Sequence, residues 1–485
     1  MYKGELVELI PRPQEDLANL NRLITGLDSR TDPVSWRTAV ITSRELLAPN
    51  DENGELSIAP DREPLDTSSY EVGQRFIEQL LSCTPLENLV PEFICAVYDL
   101  DQAPGLATPA LDAILMNGRH LPEGLLYDLA DELTQMNQAV AVVNPVGHYG
   151  DDETRIIGPR GLLQLVENLV FVASTQSQDG GDFGVLNQVV SLIDEEQIMS
   201  QVDRISIVIP MFGGSRGHRR GQDKAVGKEI YQAKEHPKNM SASLKEILKE
   251  QTDRGVKIPE ITIYSVDIHN QQWPAEIFEK NGFKFESILP SPEYAQAVIS
   301  HLDQIGLVDY PMQVVASDKG ARLRTEELAT AILLSEHPSA PRQIDVLSLD
   351  KNRVKAGEVE GSKLTQVVRW SVVDGQISKQ VITPDDDYWN TERVAISSDD
   401  MIDTVGTQEK NGWLLRNLNH RLKYLISIAT HGVLSKGLLN LNRAPVDHFF
   451  ISNTLRPDGL LDRQDVTIIN VAPAIARALQ AQAKV

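Results

Sequence analysis

A chain of 485 residues, 41% hydrophobic and 24% charged, has room for two or three domains with a sizeable core in each and the composition of an ordinary globular protein. Its 69 acidic residues against 46 basic give a formal charge of -23, which argues against general nucleic-acid or anionic-membrane binding. Cys83 and Cys95 lack metal-type spacing and read as reduced structural thiols, the opening M-Y-K-G-E-L-V-E-L lacks a signal-peptide core, and no apolar run reaches bilayer length, so a cytoplasmic protein is expected.

Residues 1–110 read as an acidic N-terminal extension, a small α/β or regulatory domain; its first 105 residues hold 19 acidic and 8 basic side chains. Strands are expected at 37–43 and 93–99, a helix over Tyr70 to Cys83, and an exposed loop over Ala48 to Asp66. From Ile114 strands and helices alternate, the pattern of a doubly wound α/β fold. Strands are expected at 139–143, 168–174, 204–210 and 260–269, with helices over 121–136, 185–195 and 241–250. A second α/β set follows from about Pro290, with helices over 292–305, 325–335 and 473–482 and strands at 311–318, 344–349, 394–396, 424–431, 449–454 and 466–472. The expected architecture is the extension followed by two tandem domains, 111–287 and 288–485.

The chemistry concentrates at 394–407, V-A-I-S-S-D-D-M-I-D-T-V-G-T. Val394 to Ile396 form a buried strand, and Asp403, Thr404, Val405, Gly406 and Thr407 a loop at its carboxyl end, where open α/β sheets bind ligands. Backbone N–H groups at such a turn converge on an anion, Gly406 permits close approach, and a following helix adds its positive end. Asp399 and Asp400 can accept hydrogen bonds from vicinal sugar hydroxyls. The stretch therefore suits a ribose 5-phosphate moiety.

Other signals are individually weak. Asp267-Ile268-His269 and Ser317-Asp318-Lys319-Gly320 end two strands, and by default such residues are a structural histidine and a turn aspartate. At facing strand ends, however, His269 and Asp318 could hold Mg²⁺. Lys351-Asn352-Arg353 opens a polar stretch without hydrophobic period, a solvated loop or a mobile loop bringing cations to a transferred phosphoryl group. The cluster Arg216 to Arg220 has the same two readings.

In this order the motifs resemble those of the ribose-phosphate pyrophosphokinases, or phosphoribosyl-diphosphate (PRPP) synthetases, over about 112–485. Y-G-D-D-E at 149–153, I-P-M-F-G-G-S-R at 209–216, S-V-D-I-H at 265–269, V-V-A-S-D-K-G at 314–320 and L-D-K-N-R at 349–353 each have a counterpart there, and D-D-M-I-D-T-V-G-T and A-T-H-G-V-L-S are nearly unchanged. Phosphoribosyltransferases share only the central loop. The resemblance implies two type I phosphoribosyltransferase-like domains and transfer of diphosphate from Mg-ATP to the anomeric hydroxyl of ribose 5-phosphate. It implies further that His269 and Asp318 bind Mg²⁺, that Lys351 and Arg353 stabilise the transferred charge, and that Asp403 to Thr407 hold the 5-phosphate with Asp399 and Asp400 near the ribose hydroxyls. Arg216 and His218 would contact ATP, as would Tyr149, Asp151 and Glu153 from a neighbouring subunit, so a homo-oligomer, dimer or hexamer, is expected.

Three departures stand out: Arg216-Gly217-His218 replaces the family's R-Q-D, extra residues follow Arg220, and an insertion lies between Lys363 and Glu392. The alternatives they leave are the same chemistry on a larger 5-phosphoribosyl compound such as ADP-ribose, or a non-catalytic regulatory subunit.

Overall fold

The computed structural model describes residues 113–117, 124–136, 140–143, 168–174, 202–213, 232–269, 271–317, 320–355, 358–455 and 459–483, with Gln138 and short strand segments at 38–40, 47–48, 57–58, 146–148, 154–156, 176–177 and 180–181. The helices expected over 70–83 and 185–195 and the strand expected at 93–99 lie outside these residues.

The first sheet has seven described strands: β1 (Thr38–Val40), β2 (Ala113–Asn117), β3 (Val140–Val143), β4 (Asn168–Val172), β5 (Arg204–Ile209), β6 (Glu260–Val266) and β7 (Lys284–Ile288). All are parallel, in the order β1-β3-β2-β4-β5-β6-β7. Strands covered on both faces need no polar alternation, and β5 and β6 accordingly read R-I-S-I-V-I and E-I-T-I-Y-S-V, buried after their first residue. Part of the acidic opening segment is built into this sheet, because β1 pairs with β3 as its edge.

Helix α1 (Leu125–Gln135) buries Leu125, Leu126, Leu129, Ala130 and Leu133, one face at helical spacing. Helix α2 (Gln232–Asp253) begins well before the expected Ser241 and runs through Pro237. A proline forfeits one backbone bond, and here Met240 and Leu244, about one and two turns further on, are buried, so packing overrides the breaker signal. Helix α3 (Gln272–Lys280) precedes β7.

The second sheet has eight strands: β8 (Met312–Ala316), β9 (Gln343–Lys355), β10 (Glu358–Val373), β11 (Gln376–Ile382), β12 (Arg393–Ile402), β13 (Leu422–Gly432), β14 (His448–Ser452) and β15 (Val466–Ile469). Their order is β11-β10-β9-β8-β12-β13-β14-β15. Pairing is parallel from β9 to β15, whereas β10 and β11 are antiparallel additions at one edge.

Helices α4 (Ser291–Gln304) and α5 (Arg322–Leu333) cover one face of this sheet, with Val298, Leu302, Leu328 and Ile332 against Val314, Ile396 and Ile426. On the other face Val315, Ala395 and Leu425 meet Leu415 of α6 (Gly406–Leu418). At Gly412 a Cβ would come within 2.8 Å of Pro445, so that face of α6 packs too closely for a side chain. The last helix, α7 (Ala472–Ala483), crosses back to the first sheet, where Ala472, Ile475 and Ala476 share a core with Leu115, Leu129 and Val140.

The polar stretch from Lys351, read from sequence as a loop, is instead strand. Lys351 pairs with Ser362 and Arg353 with Val359, in a β9–β10 hairpin whose register shifts at Ser348/Leu349 and again around Arg353. Backbone groups make that pairing, and any residue supplies them, so no side-chain alternation is needed to sustain it. The insertion after Lys363 supplies most of β10 and all of β11. Asp374 (φ 52) and Gly375 (φ 75) join them in the left-handed turn that matches strand twist.

Candidate active site

In the second sheet β8 leads through α5 to β9 on one side, while β12 leads through α6 to β13 on the other. The crevice between β8 and β12 is thus a topological switch point, the place where open α/β sheets take ligands. Asp399 and Asp400 lie within β12, where Asp399 is the one partly exposed residue of an otherwise buried strand that continues to Ile402. Asp403 and Thr404 then turn the chain into α6.

Val405 is the hinge of that turn. It is buried, at the N-cap of α6, with a left-handed φ of 65, unusual for a β-branched residue. Packing among Ile402, Ala429, Leu434 and Phe449 offsets the strain. No side chain caps α6, which leaves its first N–H groups to an outside acceptor. At Gly406 an added Cβ would meet no protein atom nearer than Thr404 Oγ1 at 3.8 Å, so packing does not demand the missing side chain. Asp403 is held from the neighbouring loop, its Oδ1 accepting from the Ser435 amide at 3.2 Å and from the Ser435 hydroxyl.

The two carboxylates of β12 differ. Asp399 is partly exposed, accepts from the Asp400 amide at 3.1 Å and lies 3.5 Å from Gln408 Nε2. Asp400 is buried, with Oδ2 2.8 Å from Nδ1 of His269 beyond the end of β6. Burial alone would push the Asp400 carboxyl up; the His269 hydrogen bond and the charge of Arg324 outweigh it and hold the group below the usual carboxylate range. His269, at 33% side-chain exposure, stands at the mouth of the cleft.

Beneath this pair lies a contact between the two sheets. Asp267 is buried with φ 42, and its carboxylate receives both arms of Arg324, Nε at 2.6 Å and Nη2 at 2.6 Å, and the Thr430 hydroxyl at 2.6 Å. His431 Nε2 donates to the Val266 carbonyl at 3.1 Å, while Nδ1 lies 2.8 Å from Thr454 Oγ1. Burial holds that imidazole below its ordinary range, hence neutral.

The structure therefore joins His269 to Asp400, which shares β12 with Asp399 and leads into the loop Asp403 to Thr407. Lys351 and Arg353 lie on β9, next to β8. Tyr149, Asp151, Glu153, Arg216, His218 and Asp318 fall outside the described residues. Among the described residues no three His, Cys, Asp or Glu side chains cluster as a metal site. The His269 imidazole is backed through Nδ1 by the Asp400 carboxylate, the arrangement that orients a histidine ligand. Arg324, Thr430, His431 and Ser435 were not singled out from sequence; A-T-H-G-V-L-S, which holds three of them, was the available signal.

No protein-family model matches the chain. It is 30% identical over 107 residues to ribose-phosphate pyrophosphokinase 3 of Saccharomyces cerevisiae, covering 22% of this chain and 32% of that one. It is 37% identical over 89 residues to ribose-phosphate pyrophosphokinase of Streptomyces coelicolor, covering 18% and 27%. The chain resembles the ribose-phosphate pyrophosphokinases. That resemblance spans a third or less of the length of these curated relatives. The crystal structure of phosphoribosylpyrophosphate synthetase from Mycobacterium smegmatis superposes with a TM-score of 0.50 at 19% identity, covering 77% of this chain and 99% of that one. The fold is thus shared with a PRPP synthetase: mixed α/β with parallel sheets of type I phosphoribosyltransferase-like form. Among the described residues no helix is long and apolar enough to cross a membrane.

Proposed function

We propose that the chain is a ribose-phosphate diphosphokinase that converts ribose 5-phosphate and ATP to PRPP and AMP. The observation that carries this is the uncapped α6 N-terminus at Val405–Gly406, placed at a switch point beside Asp399 and Asp400. The amides of Gly406 and Thr407, with the Thr404 and Thr407 hydroxyls, bind the 5-phosphate; Asp399 and Asp400 orient the ribose hydroxyls. The anomeric oxygen attacks the β-phosphorus in line, the bond from that phosphorus to the α–β bridging oxygen breaks, the anomeric proton passes to solvent, and AMP leaves.

Lys351 and Arg353 meet the charge that spreads over the transferred oxygens, and Arg216, His218, Tyr149, Asp151 and Glu153 hold ATP, the last three from a second copy in a homo-oligomer. His269 and Asp318 hold Mg²⁺, which when bound neutralises phosphate oxygens. The reaction needs positioning and electrostatics rather than a nucleophilic side chain. A cytoplasmic setting fits the acidic composition.

Mass spectrometry of the purified chain with Mg-ATP and a sugar phosphate tests the proposal. AMP and PRPP in equal amounts from ribose 5-phosphate is the expected result. AMP formed only with ADP-ribose would move the acceptor to a larger 5-phosphoribosyl compound, and AMP with neither would contradict the proposal in favour of a regulatory subunit.

A further inference from the structure

Arg324 occupies an unfavourable position. It lies in the first turn of α5, a turn without an acidic residue, so its charge sits at the positive end of the helix. Its side chain is only 13% exposed, a further cost for a guanidinium. Its partner Asp267 is 2% exposed and held in a left-handed conformation that favours glycine. Three costs at one contact need a return, and the contact joins the end of β6 in the first sheet to α5 in the second. Thr430 and His431, at the end of β13, grip the adjacent residues where β6 ends, Thr430 through the Asp267 carboxylate and His431 through the Val266 carbonyl. Two residues beyond Asp267 stands His269, bonded to Asp400.

We propose that Arg324 is a positioning residue: its two-armed hold on Asp267, supported by Thr430 and His431, sets the end of the first sheet against the second so that His269 meets Asp400. The inference rests on the reading of this cleft as the diphosphoryl-transfer site. It adds that the nucleotide-side and sugar-side halves are registered by one forked ion pair, which a lysine cannot reproduce because an ammonium lacks the planar fork.

Arg324→Lys in the full chain is the first test, with Thr430→Val as a milder variant of similar shape. The 5-phosphate loop lies within the second sheet alone, so calorimetric affinity for ribose 5-phosphate without nucleotide stays within about threefold in both variants. AMP formation per folded molecule falls about a hundredfold in Arg324→Lys, the scale of an ångström-level misplacement, and less in Thr430→Val. Hydrogen exchange quickens at 264–269 and not at 403–408. Unchanged exchange at 264–269, or loss of ribose 5-phosphate affinity in step with turnover, overturns the inference. If the wild-type chain forms no AMP, the functional reading fails, while the exchange pattern still decides whether Arg324 registers the two sheets.

Discussion

The turn from β12 into α6 and the hairpin β9–β10 are both proposed to serve one reaction, and they are built differently. The turn grows from a strand buried along nearly all its length, its hinge Val405 is locked in a core cluster, and Asp403 is tied to Ser435. At its base the hairpin is pinned where Arg369 Nε lies 2.9 Å from Asp345 Oδ1 and Arg393 reaches the same carboxylate at 3.2 Å, and among the described residues Thr365 adds a 2.9 Å hydrogen bond to the Ser348 carbonyl. Past Ser348/Leu349 its register shifts repeatedly. On the proposed reading, the groups assigned to a constant 5-phosphate sit on a frame, and those assigned to charge appearing only during transfer sit on an arm. A frame preorganises binding, whereas an arm lets substrates enter before the cations arrive.

The sharpest way to break this contrast is to fill the frame. Gly406→Ala adds a Cβ that meets no protein atom nearer than 3.8 Å, so folding stability should change by less than about 1 kcal/mol while ribose 5-phosphate affinity falls at least about tenfold. Calorimetry beside thermal unfolding checks this; retained affinity would remove the phosphate from this turn.

A second prediction weakens the frame far from the site. His448, at the start of β14, stacks on His301 with ring centroids 4.2 Å apart and bonds Thr467 at 2.8 Å. Burial, then the neighbouring His301, pushes its imidazole down to about 4, against the opposing pull of Asp465. The unfolded chain takes up this proton below its ordinary 6.5, whereas the folded chain does so only near 4, so stability falls as pH drops through that window. Urea unfolding at pH 7 and pH 5 should show the wild type losing roughly 2 kcal/mol more than His448→Phe. Equal losses would contradict the assignment.

The smallest effect concerns the arm's outer edge. Gly375→Ala, at a left-handed φ of 75, should cost about 1 kcal/mol of stability and leave ribose 5-phosphate affinity unchanged, measured on the same variant.

Much of the frame was legible in sequence, because a parallel strand buried on both faces writes itself as an apolar run, and V-A-I-S-S followed by D-D and D-T-V-G-T marks where the run meets solvent. The arm was not, since backbone pairing leaves no pattern at K-N-R-V-K-A-G-E-V-E-G-S. One signal was overlooked: Asp374-Gly375 between V-V and Q-I is a hairpin turn by composition. Arg324 was illegible for another reason. In R-L-R-T-E-E it reads as an exposed helix residue, and only the fold brings Asp267 to it across 57 positions.

The central claim, binding by the frame and transfer by the arm, is tested most directly on the Lys351→Ala/Arg353→Ala double variant, by measuring ribose 5-phosphate affinity calorimetrically and AMP formation from Mg-ATP on one preparation. The predicted result is affinity within about twofold of wild type with turnover reduced by about a hundredfold to a thousandfold. Affinity and turnover falling together, or turnover surviving intact, would contradict it.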